Sequence, residues 1–467
     1  MNVRIKFLGG AKTVTGSRHL LEVDNFKILV DCGLFQGLKE LRLKNWEEFP
    51  VDVDSIDAVL ITHAHIDHTG YLPRLVRQGY AGPIYCTKPT EDLMHIMLMD
   101  SAKLQEEEAA FARKKGYSKH ENPQPLYNTR DVENVLPLIR SFDLREPINL
   151  NGSVSIQFHN ASHILGASMI EMVLTGDQQE KRILFSGDLG RKEDILLYPP
   201  SQFHNADILV MESTYGDRDN PQGDHLEQLA EVINRALDRG GCLLIPAFAV
   251  GRTQMLLYYM KLLSESGRIP DVPIFFDSPM AFSVTEIYLK YHTYHKLDES
   301  NLHLNNGSAF DFKNLHYKRS QEESIGINEV STQAIIISSS GMCTGGRIMH
   351  HLFHRLQRPN DTILFIGYQA EGTRGRRILN GEETIKVFGL EVPVKCHVEK
   401  LEGFSAHADK TEMVEWMDNF QDSPKNVFVV HGEEKSATNF GSLINEKYGW
   451  NVQVPAFMDA YELFRGI

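Results

Sequence analysis

Thr62-His63-Ala64-His65-Ile66-Asp67-His68-Thr69-Gly70 is the stretch on which the reading of this chain turns. Within six residues it carries three imidazoles and one carboxylate, in the order H-x-H-x-D-H. Neutral imidazole nitrogens and carboxylate oxygens are donors that suit zinc. Ala58-Val59-Leu60-Ile61 before it is a short apolar run of the kind that forms a buried strand. Tyr71-Leu72-Pro73-Arg74-Leu75-Val76 after it reads as the start of a helix. Four ligand-type side chains therefore sit on a tight strand-to-helix loop, where they can converge on one or two metal ions. A histidine-rich surface loop without metal would have to reproduce the whole pattern by accident.

Working outward, four further candidates stand at the ends of predicted strands. Asp31 follows Lys27-Ile28-Leu29-Val30, and His163 lies in Ala161-Ser162-His163-Ile164-Leu165-Gly166. Asp188 lies in Phe185-Ser186-Gly187-Asp188-Leu189-Gly190, and His431 ends Val427-Phe428-Val429-Val430. Any one of them alone reads as an ordinary structural or exposed residue. Beside H-x-H-x-D-H the four together extend the metal constellation.

Bulk properties bound what such a site can serve. A chain of 467 residues is too long for one ordinary core, so two or three domains are expected. The composition, 42% hydrophobic and 24% charged, is that of a soluble globular protein. No run of about 18 apolar residues is present, so no membrane span is expected. Met1-Asn2-Val3-Arg4-Ile5-Lys6-Phe7-Leu8 enters a strand pattern at once and lacks the apolar core of a signal peptide. No extra binding module is expected before it. The five cysteines are scattered and form no C-x-x-C pair, which points to reduced thiols and a cytoplasmic location. A formal net charge of -14 argues against a broad basic face that coats nucleic acid. It leaves room for a local basic cleft, and a metal cluster adds positive charge of its own.

The hydrophobic rhythm sets the organisation. Strands are expected over 4–8, 19–23, 26–30 and 59–62, close enough in sequence for an antiparallel sheet. Helices are expected over 91–115 and 131–142, and strands resume over 154–158, 169–174 and 182–186. From about Ile208 strand and helix alternate. Leu226, Leu229, Val232, Ile233 and Leu237 fall at helical spacing before Gly240-Gly241, with strands over 208–211, 242–245, 274–276, 334–337 and 362–366. Such alternation implies a parallel sheet flanked by helices. After about Pro393 strands return, over 394–398, 426–430 and 451–454. An α/β unit interrupts a strand-rich domain that resumes near the C-terminus.

On these residues the sequence resembles the metallo-β-lactamase superfamily and, more narrowly, its β-CASP nucleases, which include the nuclease subunit of the cleavage and polyadenylation specificity factor. The resemblance runs from Gly9-Gly10 to His431-Gly432. It implies an α/β fold: a metallo-β-lactamase αββα sandwich with an inserted parallel-sheet β-CASP domain. The expected boundaries are 1–207 and 393–467 for the two parts of the first domain and 208–392 for the insert. It implies two Zn²⁺ ions per chain. One is held by His63, His65 and His163, the other by Asp67, His68 and His431, with Asp188 bridging them. Asp31 matches an acidic position that orients ligands. Two metals about 3.5–4 Å apart suit in-line displacement at a phosphodiester.

Three further motifs carry the resemblance into the insert and beyond. Glu212-Ser213-Thr214-Tyr215-Gly216 matches the first, Gly403-Phe404-Ser405-Ala406-His407-Ala408-Asp409 the second and Val430-His431-Gly432 the third. The resemblance implies that Glu212 and His407 pair near the scissile phosphate, where a protonated His407 serves as general acid. The plainer reading makes Glu212 a cap or surface acid and His407 a capping residue. In this family a histidine at the third motif goes with RNA substrates and an apolar residue with DNA, so His431 favours RNA. The catalytic set is then Asp67, Asp188, Glu212 and His407.

Ser338-Ser339-Ser340-Gly341-Met342-Cys343-Thr344-Gly345-Gly346-Arg347 follows a strand and opens a helix. Small residues let backbone N–H groups approach an anion, and a helix N-terminus adds favourable potential. Ser338, Ser339, Ser340, Gly341, Gly345, Gly346, Arg347 and Ser405 are the expected substrate contacts. Gly372-Thr373-Arg374-Gly375-Arg376-Arg377 reads equally well as a second basic contact or as a solvated loop. The reading is a zinc-dependent ribonuclease cutting single-stranded RNA at a cleft between domains. Endonucleolytic cutting is favoured, 5′-3′ exonucleolytic action stays open, and the resemblance implies products with a 3′ hydroxyl and a 5′ phosphate. The rivals are a DNA nuclease of the same fold, a small-ester or thioester metallohydrolase, and a non-catalytic scaffold. No membrane partner is expected, and the oligomeric state is open, a homodimer included.

Overall fold

The computed structural model describes residues 1–467 apart from 116–121, 178, 222 and 298–308. The chain divides into two compact units. Met1–Lys114, His120–Asp219 and Ala406–Ile467 form one, and Asn220–Ser405 form the body of the other.

The first unit holds two seven-stranded sheets. One runs in the order Ala460–Phe464, Val3–Gly9, Arg18–Val23, Phe26–Val30, Ala58–Leu60, Ile84–Thr87, Ile139–Phe142. Its first three pairings are antiparallel, and the Arg18–Val23/Phe26–Val30 hairpin turns tightly through Asp24 at φ 51°. From Phe26–Val30 onward the pairings are parallel. The antiparallel expectation therefore fails beyond Val30, because longer helix-bearing connections replace hairpins there and such crossovers return the chain in the same direction.

The other sheet runs in the order Val452–Gln453, Asn426–Val430, Ile208–Glu212, Glu180–Phe185, Ser168–Thr175, Val154–Asn160, Ile148–Asn149. Phe7, Ile28, Val30 and Leu60 of one sheet share a single buried cluster with Phe158, Ile170, Met172, Phe185, Val210 and Phe428 of the other. Each such side chain contributes about 1.5–3 kcal/mol when fully buried. This is the expected two-sheet sandwich, built from both ends of the chain, and the Met1 amino group donates to the Ile467 carbonyl at 2.9 Å.

The second unit is built on a six-stranded parallel sheet in the order Leu315–Tyr317, Ile274–Asp277, Ile335–Ser338, Leu243–Pro246, Thr362–Phe365, His397–Lys400. Its boundaries differ from the expected 208 and 392. Ile208–Glu212 pairs with Glu180–Phe185 and Asn426–Val430 in the first unit. His397–Lys400 pairs with Thr362–Phe365 in the second. Ile208–Glu212 is fully buried, and such a strand carries no mark of which sheet receives it, whereas His397–Lys400 is a short, partly exposed edge strand with no apolar alternation to mark it. The helix expected over 131–142 is also shorter. Thr129–Val135 is helical, a 3₁₀ turn spans Leu136–Leu138, and Ile139–Phe142 is a strand. Pro137 lacks the N–H that would continue the helix. Among the described residues no helix is long and apolar enough to cross a membrane.

The loops that will carry the site are laced together by main chain. Asp31 N–H donates to Leu60 O at 2.8 Å, Cys32 to His68 O at 2.7 Å, Ser17 to Asp67 O at 2.9 Å and Leu34 to Ile66 O at 2.9 Å. Gly33 lies so close to this crossing that an added Cβ would sit 1.6 Å from the Asp67 carbonyl oxygen. Gly33→Ala is expected to lower stability by at least about 2 kcal/mol, in the range of overpacked cores. Denaturant melts read this directly, and an unchanged midpoint would contradict the tight crossing.

Candidate metal centre and active site

The ligand-type residues arrive on strand ends. His63 follows Ala58–Leu60, Asp188 follows Glu180–Phe185, Glu212 ends Ile208–Glu212 and His431 follows Asn426–Val430. Their donor atoms converge in two groups, one of His63, His65, His163 and Asp188 and one of Asp67, His68 and His431, and the other oxygen of Asp188 faces the second. In the first group His63 Nε2 and His163 Nε2 lie 3.0 and 3.1 Å from His65 Nδ1. The same two nitrogens lie 3.5 and 3.6 Å from Asp188 Oδ2. In the second group Asp188 Oδ1 lies 3.2 Å from His68 Nε2 and 3.5 Å from His431 Nε2. Asp67 Oδ2 completes it, 3.9 and 3.8 Å from those nitrogens. Tetrahedral zinc with nitrogen and oxygen ligands at about 2.0–2.1 Å separates neighbouring donors by about 3.3 Å. The spacing in both groups fits a metal ion.

A second observation tests the fit. His68 Nε2 and Asp188 Oδ1 are buried and make no hydrogen bond among the described residues. Donors brought this close inside a protein, without hydrogen bonds, call for a cation between them. The protonation preferences agree. Burial pushes the His63 and His163 imidazoles well below the ordinary histidine value. It brings His431 down to about 3. All three are held as neutral donors. Burial raises Asp67 to about 6. His68 goes the other way: burial opposes its charge, but Asp188 and Asp31 outweigh burial and raise it well above the usual value.

Outer contacts aim the rings. Asp31 Oδ2 takes the His68 Nδ1–H at 2.7 Å, and the same carboxylate accepts from the Thr62 N–H and hydroxyl. Thr62 Oγ1 lies 3.1 Å from His63 Nδ1. Ser17 Oγ lies 2.7 Å from His431 Nδ1. Asp31 was expected to orient a ligand. Ser17 was not, since a lone serine after Gly16 has no spacing signal, and neither was Thr62, which offers no metal-type donor of its own. Three non-glycine positions in this shell have left-handed backbone: Asp31 at φ 60°, Ser162 at 64° and His431 at 47°. Such positions cost roughly 1–3 kcal/mol each and persist where the surroundings fix them.

Glu212 and His407 sit beside this centre. Glu212 accepts from the Leu189 N–H at 2.6 Å and the Thr214 N–H at 3.1 Å. Its two oxygens lie 3.0 and 3.2 Å from His407 Nδ1. The opposite nitrogen, His407 Nε2, is 3.9 Å from Asp188 Oδ2. Burial opposes the charged imidazole, but Glu212, Asp188 and Asp67 outweigh it and raise the His407 pKa. The contact with Thr214 closes a turn after the strand, and no helix begins there. The same carboxylate also holds His407, as the resemblance implied.

Comparison with known proteins settles the lineage. Residues 20–207 match a metallo-beta-lactamase superfamily domain, 253–378 a Beta-Casp domain and 391–455 a Zn-dependent metallo-hydrolase RNA specificity domain. A ribonuclease of Thermus thermophilus is 36% identical over 95% of this chain and 96% of its own length. The transcription termination factor FttA of Methanocaldococcus jannaschii is 30% identical over 98% of this chain and 71% of its own. The chain belongs to the β-CASP RNA nuclease family of the metallo-β-lactamase superfamily. It is a metal-dependent hydrolase. A crystal structure of a protein of unknown function from Enterococcus faecalis shares the fold at a TM-score of 0.54, 13% identical and covering 99% of this chain and all of that one.

The β-CASP unit carries the serine- and glycine-rich loop at the carboxyl end of Ile335–Ser338. Ser339 Oγ lies 2.9 Å from Ser278 Oγ, and Ser340 Oγ accepts from the Thr344 N–H at 3.1 Å. Gly346 at φ 80° turns the chain into helix Ile348–Arg355, for which Arg347 is the N-cap. Ser338, Ser339, Ser340, Gly341, Gly345, Gly346 and Arg347 thus share one strand end. Ser405 is a buried residue at the last position of this unit. The other basic run is committed internally: Arg374 donates to the carbonyls of Lys386, Cys343 and Thr344, and Arg377 pairs with Glu382.

Ser17→Ala is expected to weaken metal retention by about 10–100-fold, the usual effect of losing an outer hydrogen bond to a ligand. Chelator competition on folded protein measures it, and wild-type retention would remove Ser17 from the centre.

Proposed function

We propose that the chain is a zinc-dependent ribonuclease that hydrolyses phosphodiester bonds of single-stranded RNA by endonucleolytic cutting. The observation that carries this reading is the meeting, around one buried carboxylate, of both donor groups and the Glu212–His407 pair. Two bound zinc ions would supply a water nucleophile at neutral pH and positive charge against the phosphate oxygens. His63, His65, His163 and Asp188 would hold one, and Asp67, His68, His431 and Asp188 the other.

The remaining work belongs to the chain. Glu212, fixed by two main-chain N–H groups, holds His407 by Nδ1 and leaves Nε2 facing the centre. From there His407 donates a proton to the departing 3′ oxygen, which leaves a 3′ hydroxyl and a 5′ phosphate. A small-ester hydrolase needs no such second acid. RNA rather than DNA is favoured by His431, by the ribonuclease relative and by the RNA specificity domain matched over 391–455. The serine- and glycine-rich loop offers small side chains and a helix N-terminus to the RNA backbone. Cysteines that are all free accord with a cytoplasmic enzyme.

Zinc-loaded protein is expected to cut end-labelled single-stranded RNA into internal fragments, with a chelator stopping it and matched DNA left intact. Cutting of DNA alone, or of neither polymer by protein holding two metals, would overturn the reading. Mononucleotide ladders from the 5′ end would replace endonucleolytic by exonucleolytic action. His407→Ala is expected to lower kcat by about 10²–10⁴-fold with RNA affinity little changed. An unaltered kcat would remove its role as acid.

A further inference from the structure

Beneath the serine- and glycine-rich loop lies a charged cluster that the proposed chemistry leaves unused. Asp277 ends strand Ile274–Asp277 and is fully buried. It receives three side-chain hydrogen bonds: from Ser324 Oγ at 2.7 Å, His351 Nε2 at 2.7 Å and Arg347 Nη1 at 2.7 Å. Its carbonyl accepts from the Ser338 hydroxyl at 3.1 Å. Burying a carboxylate is costly unless such partners compensate it. Here they do, and despite burial Asp277 is held below the usual carboxylate range by His351, Ser324 and Arg347.

The cluster determines where one guanidinium points. Arg347 Nη1 also donates to Lys318 O at 2.7 Å, and Nη2 donates to Arg319 O at 2.8 Å. Those bonds fix the plane of the group from behind. Nε makes no hydrogen bond among the described residues, and the side chain is 22% exposed. Nε–H together with the remaining Nη2–H is the side-on edge with which a guanidinium grips two oxygens of one phosphate. Lys318 and the exposed Arg319 follow strand Leu315–Tyr317 at the same carboxyl edge of the sheet, so positive charge gathers there. The place is also a topological switch point. The chain leaves Leu243–Pro246 toward Ile274–Asp277 and leaves the adjacent Ile335–Ser338 in the opposite direction, toward Thr362–Phe365. Ligands of parallel sheets bind outside carboxyl ends at such points.

We propose that Asp277, braced by Ser324 and His351, is a positioning residue that presents the free edge of Arg347 to an RNA phosphate. The inference rests on the RNA reading above and adds the residue that sets the phosphate contact. Asp277 touches neither the RNA nor the reacting atoms. Its removal should therefore weaken RNA binding and spare the chemistry.

The test uses full-length, zinc-loaded protein as wild type, Asp277→Asn, Arg347→Ala and the double variant. Each is assayed on labelled single-stranded RNA and on bis(p-nitrophenyl) phosphate, a small diester with no further backbone phosphate for Arg347 to grip. Asp277→Asn is expected to raise Kd and KM for RNA about tenfold, with kcat and the small-diester rate within about twofold. The salt dependence of binding should flatten by about one phosphate contact. The double variant should bind no worse than Arg347→Ala, since one residue acts through the other. Ser324→Ala, which removes one brace, should give a smaller loss in the same direction and guards against a misfolded Asp277→Asn. Unchanged RNA affinity in folded Asp277→Asn, or losses that add in the double variant, would overturn the proposal. Wild-type protein that hydrolyses the small diester but neither binds nor cuts RNA would instead overturn the RNA reading.

Discussion

Asp188 is buried with four imidazole nitrogens between 3.2 and 3.6 Å from its two oxygens. Removing a carboxylate from water costs several kcal/mol, and only closely placed positive charge offsets that. Neutral imidazoles do not provide it. Burial holds His63, His163 and His431 uncharged, and the one of the four that favours its charge, His68, divides it between Asp188 and Asp31, so the site still suits added cations. The rest of the first unit is arranged around that carboxylate: strands from both sheets stop where their following residues reach Asp188.

Holding seven donors in place is a backbone problem before it is a side-chain problem. The loops carrying Ser17, Gly33 and Asp67 are bonded to one another by main chain, and Gly33 has no room for a Cβ. Asp31, Ser162 and His431 accept left-handed backbone, a strained choice for non-glycine residues. That strain sits at or next to ligand positions, and outer hydrogen bonds from Asp31, Thr62 and Ser17 lock the rings it aims.

The β-CASP unit uses a related device for a different end. Asp277 is again a buried carboxylate at a strand end, but its compensation comes from Arg347, His351 and Ser324. Among the described residues no group of metal-type donors gathers around it. One buried acid thus organises a cation site, and the other fixes a guanidinium and a loop. In both cases low dielectric makes the partner's geometry stringent.

Much of this was legible in the sequence. H-x-H-x-D-H over 63–68 states its chemistry locally, because a strand, a turn and a helix start place those donors within a few residues of one another. Family resemblance joined His163, Asp188, Glu212, His407 and His431 to it, and in the structure those residues meet. Hydrophobic rhythm gave the parallel sheet of the insert. It could not assign Ile208–Glu212 to its sheet, since a fully buried strand looks alike in either, nor His397–Lys400, a short, partly exposed edge strand whose polar residues name no partner. Nor could it reveal Ser17 on His431, 414 residues away, or Asp277 on Arg347, 70 residues away. Sequence determined which chemistry the chain carries, because donor type and local spacing are written along it. Tertiary structure alone decided which serine aims a ligand and which buried acid aims an arginine, because those contacts depend on how distant strand ends are brought side by side.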